Sequence, residues 1–287
     1  MKYAFMHQHI RQFSVVAMSR VLKVSRSGFY DWCKRRPSPR QQANARLLPN
    51  ICRVHQEHRQ AYGAFKTWRA LNDAGIACGK HRVARLRREA GIVAKREARF
   101  RMMVEHHQTP QAAPDLLERQ FLAPAPNRVW VGDMTFIRTR EGWLYLAMLL
   151  DLFSRRVVGW AMGAKPDHVL CLDALNMAYE QRRPEAGLIH HTDRGATYSA
   201  RAYRERIDQV GARASMSGRK SAYDNAVAES FFSNLKNEWL HHFSFKSRDE
   251  ARSAIFDYIE LFYNRKRIHQ SLGYRTPAQV EKDWECA

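Results

Sequence analysis

Three carboxylates stand out by type and placement. Asp133 lies in an apolar, strand-like run, VWVGDMTFI. Asp193 closes another, GLIHHTDRG. Glu229 sits in a helix-like stretch, NAVAESFFSNLKNEWL, with 35 residues between it and Asp193. Moving phosphoryl groups with two divalent ions requires carboxylates that converge on one point, and each of these sits on an element rigid enough to hold position. In a strand, Val129, Val131, Asp133, Thr135 and Ile137 share one face, where an unpaired carboxylate would be desolvated. Asp193 falls where a strand gives way to a loop, the usual place for ligand residues in α/β sheets. At about 100° per helical residue, Asn225, Glu229, Ser233 and Lys236 fall on one narrow face, with Val227, Phe231, Phe232, Leu235 and Trp239 away from it. Each acid taken singly has an ordinary alternative: a buried acceptor, a turn acid, an exposed helix residue. Together they point to metal-dependent chemistry on a polyanion. Asp151, at the end of another strand-like run, is a lesser candidate for the cleft, and Asp224 reads as the cap of the Glu229 helix.

The chain has 287 residues, the length of about two domains. Its 45% hydrophobic content is enough for sizeable cores and argues against disorder. No run approaches the ~20 apolar residues of a membrane span, and MKYAFMHQHIRQF holds no apolar signal core. A cytoplasmic protein without a membrane partner is expected. Five cysteines, an odd count with no CxxC pair, argue against a disulfide framework or structural zinc. His55 and His58 read as ordinary helix-surface histidines. The net charge of +20 is uneven: residues 1–125 hold 24 Lys/Arg against 8 Asp/Glu, and residues 126–287 hold 24 against 20. Phosphate neutralisation by Lys/Arg dominates nucleic-acid binding, so the N-terminal part is the expected DNA anchor. A well-solvated surface is the alternative.

The positioning elements follow from periodicity. Residues 14–36, SVVAMSRVLKVSRSGFYDWCKRR, put Val15, Val16, Met18, Val21 and Leu22 on one helix. A turn at Lys23-Val24 follows, then a second helix capped by Ser25 and carrying Arg26. This is helix-turn-helix grammar, with a plain helical hairpin as the alternative. A second helical pair runs to Asp73 and then over about 80–90, where Lys80, Arg82, Arg85 and Arg88 are candidate DNA contacts. From 129 the pattern becomes three hairpin-linked strands, a helix over about 167–182, the strand GLIHH, a helix over 199–210 and the strand RASMS. That order predicts an α/β, RNase H-like mixed sheet with helices on both faces. SRDE at 247–250 reads as a capping box, followed by an apolar stripe through Ala251, Ala254, Ile255, Tyr258, Ile259 and Phe262. The basic segment YNRKRIHQSLGYRTP either contacts DNA or covers the sheet edge. The expected division is 1–45 helix-turn-helix-like, 46–105 a second helical DNA-binding region, 106–125 a linker, 126–240 the catalytic core and 241–287 a helical, basic extension.

The wording of these segments resembles the DDE transposase/retroviral integrase superfamily. More closely, the chain resembles the OrfB transposase of the IS-three family of bacterial insertion sequences. VWVGDMTFIRT, LYLAMLLDLFSRRVVGW, HHTDRGATYS, SMSGRKSAYDNAVAESFFSNLKNE and YNRKRIHQSLGYRTP carry the resemblance, with YGAFKTWRAL and VARLRREAGI in the helical region. It implies Asp133, Asp193 and Glu229 as the metal-binding triad, Lys236 as the basic partner on the Glu helix, and Mg²⁺ as cofactor, two ions with Mn²⁺ able to substitute. It further implies double-stranded DNA as substrate, at the element's ends and at the target, and an OrfA product as fusion or partner. Where an SMSR-type lead into the YDNA segment is expected, the chain reads SMSGRKSAYDNA; this GRKS departure alters the loop before Glu229 but spares every acid. Two ends joined at once require two active sites, so a homo-multimer on DNA is expected, though no sustained heptad supplies a coil. Two rival readings remain at this stage: a DNA-binding regulator without catalysis, and a nuclease that cuts without joining.

Overall fold

The computed structural model of the chain describes residues 1–95, 113–218 and 225–286. Asp224, most of the GRKS departure, residues 96–105 of the second helical region and 106–112 of the linker lie outside these. Two compact units form, Met1–Ile51 and Cys52–Ala287. In the first unit, α1 (Lys2–Gln8), α2 (Val15–Leu22) and α3 (Arg26–Lys34) precede the start of α4 (Pro39–Glu57). The expected division at 45/46 falls inside α4. Ser14 caps α2 by accepting from Ala17 N, Lys23 ends it in the left-handed region, and Ser25 caps α3 by accepting from Gly28 N. The core is Met6, Met18 and Phe29, with Val15 and Leu22 packed against it. Val16 and Val21, expected on the apolar side, are 48% and 79% exposed. Val16 is nearly opposite Met18 around the helix, which accounts for its exposure; Val21 lies within about 60° of Met18, as Val15 and Leu22 do, and its exposure does not follow from angle.

The second unit carries α5 (Ala64–Asp73) and α6 (Lys80–Glu89). The sheet follows: β1 (Val129–Thr139), β2 (Gly142–Asp151), β3 (Val157–Gly163), α7 (His168–Arg182), β4 (Ile189–Thr192), α8 (Arg201–Gln209) and β5 (Arg213–Met216). After these come α9 (Ala226–Glu238), α10 (Arg248–Phe256), a π-helical continuation (Asp257–Tyr263) and α11 (Pro277–Glu285). The strand order is β3-β2-β1-β4-β5. β1–β2 and β2–β3 are antiparallel, and β1–β4 and β4–β5 are parallel. This is the expected RNase H-like sheet. Val129, Val131 and Ile137 meet α9, α10 and the π-helical segment on one face. Trp130 and Val158 meet α7 and α8 on the other. Among the described residues no helix is long and apolar enough to cross a membrane.

Gly159 marks the closest approach of strand to helix. A Cβ there would stand 2.3 Å from Ala174 O and 2.6 Å from Ala178 Cβ, both on α7. Gly159→Ala is therefore expected to destabilise the fold by about 1–3 kcal/mol. The urea midpoint should fall with an unchanged slope; an unchanged midpoint would refute the close packing.

The C-terminal segment shows how the outer edge of β3 is closed. Asn264 Oδ1 accepts from Val157 N (3.0 Å) and its Nδ2 donates to Val157 O (3.1 Å), standing in for a neighbouring strand. Of the two readings of the basic segment, covering the edge is the one this contact supports. Ser247 caps α10 by accepting from Glu250 N, but Glu250 accepts from Lys246 N rather than Ser247 N. The expected box is therefore not reciprocal. A reciprocal box does form at Thr276 and Gln279, at the start of α11.

Candidate active site

Strand register brings the two aspartates together. Val129, Trp130 and Val131 pair with Ile189, His190 and His191, a constant offset of 60 positions. Extended two residues on, this register sets Asp133 of β1 beside Asp193, just after β4, on neighbouring segments whose strands lie about 4.8 Å apart. A Cβ at Gly132 would meet His190 Cε1 at 3.0 Å and Thr192 Cγ2 at 3.3 Å. Residues 132, 190 and 192 thus share one face, and alternation gives Asp133 and Asp193 the other. That is the face on which Val129 and Val131 pack against α9. β4 ends at Thr192 while β1 runs on to Thr139, so Asp193 lies just past the end of its strand, beside a stretch of β1 that β4 does not pair. Asp193 Oδ1 accepts from Gly195 N (2.9 Å), and Asp133 Oδ1 accepts from Met134 N (2.7 Å).

Glu229 lies on α9, which packs on the same face of the sheet. Phe231, Phe232 and Leu235 bury α9 against the sheet, leaving Glu229 exposed on its first turn and Lys236 half-buried. Asn225 links strand and helix. Its O accepts from Glu229 N (3.1 Å), and its Nδ2 donates to Gly132 O (3.3 Å), the carbonyl preceding Asp133. Asn225 is only 6% exposed, so it is a buried tether rather than a member of the polar face facing the cleft. The helical wheel places it correctly in angle but carries no signal of this long-range bond.

Electrostatics tie the acids together. The Asp133 carboxyl is pushed well above the usual carboxylate range by burial, and then by the negative charge of Asp193. The Met134 N–H opposes this, Glu229 adds to the rise, and Lys236 pulls downward. Burial lowers the Lys236 ammonium against the pull of Asp133, and its Nζ lies 5.0 Å from the centre of the Phe136 ring. The acids are within reach of one another's fields, yet among the described residues no three His, Cys, Asp or Glu side chains are close enough to ligate one ion as they stand. The donor set is all carboxylate oxygen, which suits hard divalent cations, and a buried acid under like-charge pressure is what a bound cation relieves.

The remaining sequence candidates separate. Asp151 is no cleft residue. It is fully buried and accepts from Asn127 N (2.6 Å), Trp130 Nε1 (3.2 Å) and Phe153 N (2.9 Å), a structural acceptor for the chain entering β1. His55 is buried rather than on the surface, and His58 is half-buried, stacked on Tyr62 with ring centres 4.0 Å apart. Burial lowers the His58 imidazole to about 4. Arg26, Lys80 and Arg88 are exposed and Arg82 half-buried, whereas Arg85 pairs with Glu89 at 3.0 Å. Arg87, between them, is buried and donates to Thr67 Oγ1 (2.8 Å) and Tyr62 O (3.0 Å).

Comparison with known proteins gives the following. Profiles of the Integrase core domain match residues 123–222 and 210–277, and that of the HTH-like domain matches residues 42–100. A Shigella sonnei protein, "Insertion element IS600 uncharacterized 31 kDa protein", is 45% identical over 267 residues, 93% of this chain and 98% of its own. "Transposase InsF for insertion sequence IS3A" of Escherichia coli (strain K12) is 40% identical over 283 residues, 98% of each chain. Among solved structures, the HTLV-2 integrase catalytic core domain in complex with magnesium (dimeric form) aligns with TM-score 0.43 at 17% identity, covering 55% of this chain and 98% of that one.

Proposed function

This chain belongs to the IS3-type insertion-sequence transposases, and from that premise we propose that Asp133, Asp193 and Glu229 are its catalytic triad. It is an enzyme of DNA transposition with an integrase core. In this reading the triad holds two Mg²⁺ ions, with Mn²⁺ able to replace them, for cleavage at the terminal inverted repeats and transfer of the freed ends. When bound, such ions supply Lewis-acid stabilisation and lower the pKa of the attacking hydroxyl. The observation that supports the assignment is the β1–β4 register, which sets Asp133 and Asp193 side by side on the face of the sheet against which the Glu229 helix packs.

The chain's own residues do the positioning. β1 fixes Asp133, the Gly195 N–H orients Asp193, and α9 presents Glu229 with Lys236 two turns further along, placed to meet a phosphate. Attack by water or a 3′-OH in line with the leaving oxygen needs no covalent protein–DNA intermediate. Arg26 on α3 and Lys80, Arg82, Arg85 and Arg88 on α6 hold the DNA backbone in this reading. An OrfA product, as fusion or partner, and further copies of this chain complete the assembly in the cytoplasm, at the nucleoid.

The test is Mg²⁺-dependent cleavage and joining of labelled linear DNA bearing the element's ends, with Glu229→Gln as control. Joined products lost in the variant are expected. Binding without chemistry in both proteins would sink the reading. For the DNA contacts, Lys80→Ala and Arg88→Ala are each expected to lower the slope of log affinity against log salt by about one. Arg85→Ala, already paired with Glu89, should change it less. Equal slopes in all three variants would refute α6 as a phosphate contact.

A further inference from the structure

α4 ends in a backbone that its sequence makes unfavourable. Gln60 N donates to His55 O (2.8 Å) and Arg59 N donates to Gln56 O (3.0 Å). In this Schellman pattern the residue after the cap is left-handed and usually glycine. Here it is Arg59, at φ 55, followed by Gln60 at φ 62. Strain kept on a bulky residue directs attention to what its side chain does. The Arg59 guanidinium stacks 3.8 Å from the centre of the Trp239 ring, and its Nη2 donates to Asp257 O (3.1 Å). Trp239 ends α9, and its Nε1 donates to Ala254 O (2.9 Å). Glu238, one residue earlier, accepts from Arg267 Nη2 and Nε at 2.6 and 2.7 Å. Tyr62 reaches the same region: its hydroxyl accepts from Ile268 N (2.9 Å) and donates to Lys266 O (3.1 Å), on either side of Arg267. The Tyr62 carbonyl in turn accepts from Arg87 of α6.

We propose that Arg59 is a positioning residue for Glu229, bracing the far end of the helix that carries that acid in the same region where Tyr62 ties in α6. The inference rests on the catalytic reading of Glu229 given above. α9 is held at one end by the bond from Asn225 to Gly132 O of β1 and at the other by Arg59 and Arg267. From Trp239 to Glu229 is about 15 Å of continuous helix, rigid enough to carry a shift at one end to the other. DNA engaged by α6 thereby bears on where Glu229 stands.

The test uses the full chain as wild type, Arg59→Gly and Arg59→Lys. Glycine suits the left-handed position, so the melting temperature is expected to hold. In metal-free protein, α9 amides are expected to exchange faster in Arg59→Gly, by on the order of tenfold, with β1 and β2 unchanged. On pre-bound DNA ends, cleavage should slow by about ten- to a hundredfold and require more Mg²⁺, with DNA affinity unchanged. Arg59→Lys keeps a cation over the Trp239 ring and should restore most of both properties. Unchanged α9 exchange overturns the coupling. So does faster exchange spread evenly over the sheet, or faster α9 exchange with undiminished cleavage. A wild type that cuts no DNA with Mg²⁺ or Mn²⁺ refutes the catalytic reading alone, while the exchange data still decide the coupling.

Discussion

Asp133→Asn is expected to lower strand cleavage by on the order of a thousandfold while leaving DNA affinity unchanged. It removes one charge from the proposed ion site and nothing from the basic helices. The same substitution should act in the opposite sense on stability. Burial and the charge of Asp193 raise the Asp133 pKa in the folded chain, so the folded state binds this proton more tightly than the unfolded state does. The stability linked to it is present below the ordinary carboxylate pKa and is lost as pH rises through the raised one. Asparagine is neutral throughout and loses nothing. Metal-free Asp133→Asn should therefore melt above wild type at pH 7–8 and draw level with it in acid. Added Mg²⁺ should close the gap by stabilising wild type alone. Parallel loss of DNA binding and cleavage, or a variant that melts lower at neutral pH, would refute this assignment.

Arg267→Met should give the largest loss of stability of any single change here, about 3–5 kcal/mol. Arg267 and Glu238 form a buried pair, and Glu238 also accepts from the Tyr258 hydroxyl (2.9 Å). Burial by itself would raise the Glu238 carboxyl; the hydrogen bonds and charge of Arg267 reverse that and hold it below the usual range. Its stabilisation is thus present above the unfolded carboxylate pKa and lost as pH falls through the lowered one. Without Arg267 the sign inverts, because a buried, unpaired Glu238 gains from protonation. Arg267→Met should be weakest at pH 7 and recover towards pH 5 in urea unfolding. The double change Arg267→Met with Glu238→Gln should recover much of the loss. A double variant no more stable than the single one would show that the charge pair is not the cause.

The sheet was legible because its strands are long apolar runs that alternate with amphipathic helices, and the order of such elements admits few topologies. The placement of the three proposed site acids was legible for a related reason: Asp133 and Glu229 lie within regular elements and Asp193 directly follows one, and the parallel register of β1 and β4 brings the two aspartates alongside. Asp151 shows where this ends. It closes an apolar strand much as Asp193 does, and only the donors it meets, Asn127 N and Trp130 Nε1, reveal a structural acid. Asn225 was placed on the right helical face but buried by a bond to Gly132, 93 residues away. His58 looked like a surface histidine until Tyr62 folded over it. For Asp151 and Asn225 the deciding partner is distant in sequence, and periodicity carries no record of it; for His58 it is a near neighbour whose ring orientation periodicity does not specify.

The offset of 60 positions between β1 and β4 has a kinetic consequence. Asp133 emerges early from the ribosome, on a meander of three strands that can pair locally. Its two companions arrive much later, one on a strand that must slide in parallel beside β1, the other on a helix that must close over both. Parallel, long-range pairing of this kind is slow to form. Under the proposed assignments, a nascent chain completes α3 and α6 well before its three acids can come together, and a product truncated before α9 is expected to bind the element's ends without breaking them.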